Sequence, residues 1–196
     1  MIGRLSGTLL EKKAPQLLVD VGGVGYELEV PMSTFFELPL VGEPVTLVTH
    51  FHVREDAQIL YGFLTESERR LFRLLLKVNG VGAKMTLAIL SGMNPEEFRQ
   101  CILSGDQVTL VRVPGIGKKT AERLIVEMRD RVKKMGGETS ASAVSTASVA
   151  DPVAEATEAL IALGYRPAEA SRMVSKVAAP EHGSETMIRL ALKGAM

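Results

Sequence analysis

Apolar and polar residues alternate through the first 63 positions in short runs separated by turn residues. Ile2–Leu10, Gln16–Val21, Tyr26–Val30, Pro44–Val53 and Gln58–Phe63 each read as a strand, because a period of two sends one set of side chains to a buried face and the other to water. Gly22-Gly23-Val24-Gly25 supplies a tight connection between the second and third. Five short strands in about 60 residues suit a five-stranded Greek-key barrel of the oligonucleotide-binding (OB) type, with a small sandwich as the alternative.

At Thr65 the period lengthens to 3.6. Ser67–Val78 sets Leu71, Leu74, Leu75 and Val78 on one stripe of a helix. Ala83–Leu90 predicts a second helix. Asn94-Pro95 opens a third that runs to Leu103, with Asn as cap and Pro in the first turn. A short helix at Gln107–Val111 leads to a long basic one at Lys118–Lys134, so residues 64–135 form two helix–turn–helix units in tandem. Gly136–Ala150, GGETSASAVSTASVA, has no apolar periodicity, buries too little to offset its ordering entropy, and reads as a flexible linker. Pro152–Leu163, Pro167–Ala178 and Glu185–Leu192 then predict a three-helix module at 151–196, near the lower size limit for independent folding. The expected fold class is multidomain α+β, divided at 1–63, 64–135, 136–150 and 151–196.

Composition narrows the function. No run approaches the roughly 18 apolar residues of a membrane span. MIGRLSGTLLEKKAP has neither the apolar core nor the cleavage site of a signal peptide. Cys101 is the single cysteine, so an intrachain disulfide or a cysteine-rich metal site is excluded. A soluble, cytoplasmic protein without membrane contact is expected. The formal net charge is zero, but residues 64–135 carry 14 Lys/Arg against 8 Asp/Glu, whereas the segments on either side are acidic.

Inside that basic segment one pattern occurs twice: Val78-Asn79-Gly80-Val81-Gly82-Ala83-Lys84 and Val113-Pro114-Gly115-Ile116-Gly117-Lys118-Lys119. Glycine permits positive φ and close approach of the backbone to a ligand. The helix that follows offers unpaired N–H groups and a partial positive charge, an anion site. Val81 and Ile116 can tuck inward to lock each turn, while Lys84, Lys118 and Lys119 add positive charge. A nucleotide P-loop does not fit, since its frame puts Arg112 at the first glycine and Lys119 at the hydroxyl position. The dinucleotide fingerprint also fails, with Met85 at its third glycine. Two equivalent phosphate grips suit a repeating polyanion, bound through its backbone in a salt-sensitive, sequence-tolerant way.

VNGVGAK and VPGIGKKTAERL resemble the tandem helix-hairpin-helix motifs of DNA repair proteins. With MIGRLSG, VGGVGYELEVP, THFHVREDAQILYGF and ALGYRPAEASRMVSKV, they make nearly the whole chain similar to the RuvA family, the Holliday-junction-binding subunits of bacterial branch-migration complexes. The resemblance implies DNA contacts at Gly80, Gly82, Lys84, Gly115, Gly117, Lys118 and Lys119, with Arg123 one turn further on as a supporting contact. It implies an acidic pin at Glu55 and Asp56, which the strand pattern places at a hairpin tip beside Arg54. It also implies a homotetramer, or an octamer of two tetramers, on a four-way DNA junction in recombination and repair. The implied partners are the hexameric ATPase RuvB and the resolvase RuvC. The last module resembles a ubiquitin-associated (UBA-like) three-helix fold that meets RuvB, with Leu163, Tyr165 and Met173 as candidate anchors.

No catalytic residue, cofactor or metal is expected. His50 and His52 share a strand face without a third ligand. A helix-hairpin-helix glycosylase or nuclease is disfavoured: one cysteine cannot hold an iron–sulfur cluster, and no Asp follows Gly117 until Asp130. Nine aromatic residues are few for a base-stacking single-strand binder.

Overall fold

The structure is a computed structural model that describes residues 1–55, 57–138, 151–179 and 182–194, with side chains of 134–138 left out. It divides into two compact units, Met1–Ser140 and Ala141–Met196.

In the first unit, strands β1 (Arg4–Lys13), β2 (Gln16–Val21), β3 (Val24–Glu29), β4 (Pro44–Val53) and β5 (Gln58–Phe63) close into a barrel in the order β1-β2-β3-β5-β4. The barrel, rather than the sandwich, is therefore the fold. β1 serves two neighbours: its first half pairs with β4 (Arg4↔Val48 to Thr8↔Pro44) and its second with β2 (Thr8↔Asp20 to Lys13↔Gln16). A register shift between Leu9 and Glu11 lets it bend from one partner to the other. That irregularity interrupts the alternation, which is why the sequence pattern ends the strand at Leu10. Closure comes from parallel pairing of β3 with β5 at Glu29↔Tyr61. Leu9, Leu17, Val19, Leu28 and Leu47 fill the interior.

Helix α1 (Met32–Glu37), between β3 and β4, has no counterpart in the sequence reading. It spans six residues, has no side-chain cap, and leaves Phe36 in solvent, so it presents no apolar period. Its role is to join barrel to helices. The Met32 N–H donates to Ser91 Oγ at 2.9 Å, and Ser33 Oγ donates to the buried carboxylate of Glu68 at 3.0 Å.

The helices are α2 (Glu66–Leu75), α3 (Ala83–Gly92), α4 (Pro95–Ser104), α5 (Gln107–Val111) and α6 (Lys118–Glu138). α2 starts in a capping box between Thr65 and Glu68, and α4 in another between Asn94 and Glu97, with Pro95 in the first turn. α6 continues through Glu138, so the first residues assigned to the linker are helical, while 139–150 lie outside the described residues. Tyr61 and Phe63 of β5 pack on Phe72 of α2, with centroids 4.8 and 5.0 Å apart, and join the buried core of the helices. Arg69 adds a polar clasp, donating from Nη1 to the carbonyls of Gly3 (2.6 Å) and Thr49 (3.1 Å). Barrel and helices thus hold one another in fixed register, which fixes the hairpins relative to the β4–β5 tip.

The second unit contains α7 (Pro152–Ala162), α8 (Pro167–Val177) and α9 (Ser184–Lys193) around a core of Ala156, Leu160, Ala170, Val174, Met187 and Ala191. Asp151 caps α7 by accepting the Val153 N–H at 3.0 Å. Among the described residues, no helix is long and apolar enough to cross a membrane.

Candidate nucleic-acid interface

The two glycine turns have the same geometry. In each, the central apolar residue is buried, and its N–H donates back to the valine that opens the motif: Val81 to Val78 O and Ile116 to Val113 O, both at 3.1 Å. The first glycine is left-handed, with φ of 80° at Gly80 and 88° at Gly115, conformations that L side chains rarely adopt. The second glycine begins the helix. The Gly82 carbonyl accepts Thr86 N–H (3.0 Å) and that of Gly117 accepts Ala121 N–H (2.9 Å).

The second glycines differ from the first in why they are glycine. Gly82 has φ −92° and ψ 171°, an extended conformation open to any residue. A Cβ built at Gly82 or at Gly117 would meet no atom within 4 Å, and neither has a left-handed φ. Neither conformation nor internal packing demands glycine there. The space beside the backbone is open to something outside the chain.

The helix starts point the same way. α2, α4 and α5 are capped by the side chains of Thr65, Asn94 and Asp106. α3 starts at Gly82 with no side-chain cap, so its first-turn amides remain available to a ligand, at the positive end of the helix dipole. Lys84, Lys118 and Lys119 are exposed around these two starts.

The β4–β5 turn extends beyond the last pair, Val53↔Gln58, and is closed by the Arg54 N–H donating to Ala57 O at 2.8 Å. Glu55 is exposed at its tip; Asp56 lies outside the described residues. Arg54 Nε donates to His52 Nε2 at 2.9 Å, which aligns the guanidinium along the hairpin. A groove of about 770 Å³ runs between this hairpin and the first glycine turn; Arg54, Ala57, Gly82 and Lys84 are among its lining residues. The structure therefore brings the base of the predicted pin and the first predicted grip onto one concave surface. Sequence reading did not foresee that juxtaposition, nor His52 as the residue that orients Arg54.

Tyr61 and Glu29 also line the groove. Burial first, and then the Glu29 charge, raise the Tyr61 phenol above its ordinary range, with Arg54 opposing. His50 and His52 do share a face, their rings 6.0 Å apart. Burial, followed by Arg73, His52 and Arg69, lowers the His50 pKa, consistent with a neutral ring accepting from Arg73 Nε at 3.3 Å. The described residues contain no cluster of three or more His, Cys, Asp or Glu able to hold a metal.

Arg123 reaches back from the second turn's helix to the first turn, where Nη1 donates to the Asn79 carbonyl at 3.0 Å. In the second unit, Leu163 is 62% exposed, whereas Tyr165 and Met173 are half-buried against the small core. The three candidate anchors are thus not equally available.

Comparison with known proteins covers the same segments. Residues 1–62 match the family described as RuvA N terminal domain, residues 72–130 the SAM-like Helix-hairpin-helix tandem, and residues 151–196 the RuvA, C-terminal domain. A protein of Thioalkalivibrio sulfidiphilus is 58% identical over 203 residues, and one of Citrobacter koseri 55% over 203, each comparison covering all of both chains. One of Shewanella denitrificans is 56% identical over 200 residues, covering 98% of each. All three bear the name Holliday junction branch migration complex subunit RuvA. With full-length identity at this level, and a barrel, tandem hairpins and helical module in matching order, the chain belongs to the RuvA family.

Proposed function

We propose that this chain is a non-catalytic scaffold that binds four-way DNA junctions by shape, holds them open, and positions an ATP-driven motor for branch migration. The observation that carries the reading is the open space at Gly82 and Gly117, glycines that neither backbone conformation nor packing requires. Phosphates of a duplex arm fit there, contacting first-turn amides, with Lys84, Lys118 and Lys119 adding charge. Gly80 and Gly115 shape the two turns. Four copies in a closed ring match four arms, and two such rings face to face would enclose the junction. The names of the relatives, subunits of a Holliday junction branch migration complex, support the same assignment.

In this reading the segments divide the work. Residues 1–63 carry the pin, 64–135 grip the arms, 136–150 act as a tether, and 151–196 meet the motor, RuvB, through Leu163 and, less directly, Tyr165 and Met173. ATP hydrolysis belongs to that partner, and a resolvase of the RuvC type would act on the junction thus held. The proposed setting is the cytoplasm.

The reading is tested by a gel-shift competition between a labelled immobile four-way junction and linear duplex of the same sequences, without metal or ATP, at two salt concentrations. Junction preference that survives added salt is expected, because arm geometry is read in addition to charge. Equal affinity for both DNAs would reduce the protein to a generic phosphate binder.

Glu55 and Asp56 carry negative charge towards the crossover, where they repel phosphates and keep strands apart. The double variant Glu55→Gln, Asp56→Asn should bind junctions as tightly or up to about tenfold more tightly, the gain expected from removing repulsive charge beside a phosphate. Strand separation at the crossover, read with 2-aminopurine fluorescence, should fall. Reduced binding together with a lowered melting temperature would mark the pair as structural instead.

A further inference from the structure

The two hairpins are joined by a polar contact that neither turn motif contains. Arg123 lies on α6, six residues past Gly117, and its Nη1 donates to the carbonyl of Asn79 at 3.0 Å, across 44 positions of sequence. The same nitrogen stands 3.1 Å from where a Cβ on Gly80 would lie. Gly80 is constrained by its left-handed φ and has the guanidinium close beside it, whereas Gly115 has no atom within 4 Å of the equivalent point. The hairpins are alike in their backbone turns and differ in this contact. A second arginine on the same helix, Arg131, approaches the Leu74 carbonyl at the end of α2 at 3.5 Å. Two cations thus point from α6 towards the carbonyl-rich end of α2 and the turn that follows, where the helix dipole favours positive charge.

We propose that Arg123 is a positioning residue that ties the second hairpin's helix to the first hairpin's turn and so fixes the spacing of the two backbone-amide sites. The proposal rests on the phosphate-grip reading above. Two weak sites on one rigid body bind one polyanion much more tightly than either alone, provided their separation matches the ligand's. A loosened turn at Asn79-Gly80 removes that match without removing either site. Arg123 is exposed like the lysines at the helix starts, but its Nη1 is engaged by the Asn79 carbonyl within the chain.

The test is a double-mutant cycle on the full-length protein with Arg123→Ala and Gly117→Asp, the four proteins compared on a four-way junction at one low salt concentration. Arg123→Ala alone should weaken binding about tenfold, but less than about twofold when Gly117→Asp has already disabled the second hairpin, because coupling then has nothing to coordinate. The slope of log affinity against log salt should be unchanged by Arg123→Ala. In the DNA-free protein, amide hydrogen exchange over residues 77–84 should accelerate at least about fivefold, as expected when a local tie opens.

An equal loss in both backgrounds, with a salt slope smaller by about 0.9, would make Arg123 a direct phosphate contact and overturn the proposal. So would unchanged exchange over 77–84. If Gly117→Asp left junction affinity intact, the phosphate-grip reading would fail first and take the positioning role with it. The exchange measurement on free protein reports the tie independently of DNA.

Discussion

Gly117→Asp should lower four-way-junction affinity by at least about 100-fold while leaving the fold intact. The size follows from two losses at one place: the Cβ and carboxylate occupy the space a phosphate would take, and a negative charge replaces open surface beside first-turn amides. A 100-fold loss is about 2.7 kcal/mol, within reach of a few charge-assisted hydrogen bonds. The fold should tolerate the change because a Cβ at Gly117 meets nothing within 4 Å and its φ is not left-handed. Gly82→Asp should behave alike at the first hairpin. Gly115→Ala supplies the contrast: at φ 88° the added methyl strains the turn, so stability falls along with binding. Fluorescence anisotropy on a labelled junction, paired with thermal melting of the same preparations, separates these outcomes. Full affinity in a folded Gly117→Asp protein would remove the phosphate grip at that hairpin.

That separation between first and second glycines marks the limit of what the sequence could say. The pattern Val-x-Gly-apolar-Gly-x-Lys, repeated 35 positions apart, is enough to find both turns and to predict the burial of Val81 and Ile116. It cannot say which glycine serves the backbone and which leaves room for a ligand, because both appear as the same letter. The strands were legible as short, mostly apolar runs bounded by turn residues, as in Gln16–Val21 and Gln58–Phe63, and less so in β1, where the Leu9/Glu11 irregularity breaks the period. Helix α1 escaped because six residues with an exposed Phe36 and no side-chain cap give no helical signature.

The long-range features were beyond any local pattern. The groove joins Arg54 to Lys84 only because Phe72 packs beneath Tyr61 and Phe63, locking helices to barrel. The contact of Arg123 with Asn79 depends on how α6 packs into the shared helical core, which leaves no trace in the spacing of either motif. Arg123 itself was legible as a basic residue near the second glycine turn; its carbonyl partner was not.

Removing residues 151–196 should separate DNA binding from motor coupling. The deleted segment has its own core, built on Leu160, Val174 and Met187, while the barrel and hairpins are held by the separate cores of the first unit. The hairpins' core is built entirely from residues of the first unit, so junction affinity should stay within about twofold of the full-length value. ATP-dependent branch migration in the presence of the motor should instead fall to background. Adding the module back as a free polypeptide should not restore it at micromolar concentration, because a tether supplies an effective concentration on the order of millimolar. Leu163→Asp tests the same surface without truncation: the side chain is 62% exposed, so the carboxylate remains hydrated in the free protein and opposes only an apolar partner. A migration assay on a synthetic junction, run beside the binding measurement, reads both quantities. Retained ATP-driven migration in the truncated protein would mean that the motor is held by the first unit, and the three-helix module would need another role.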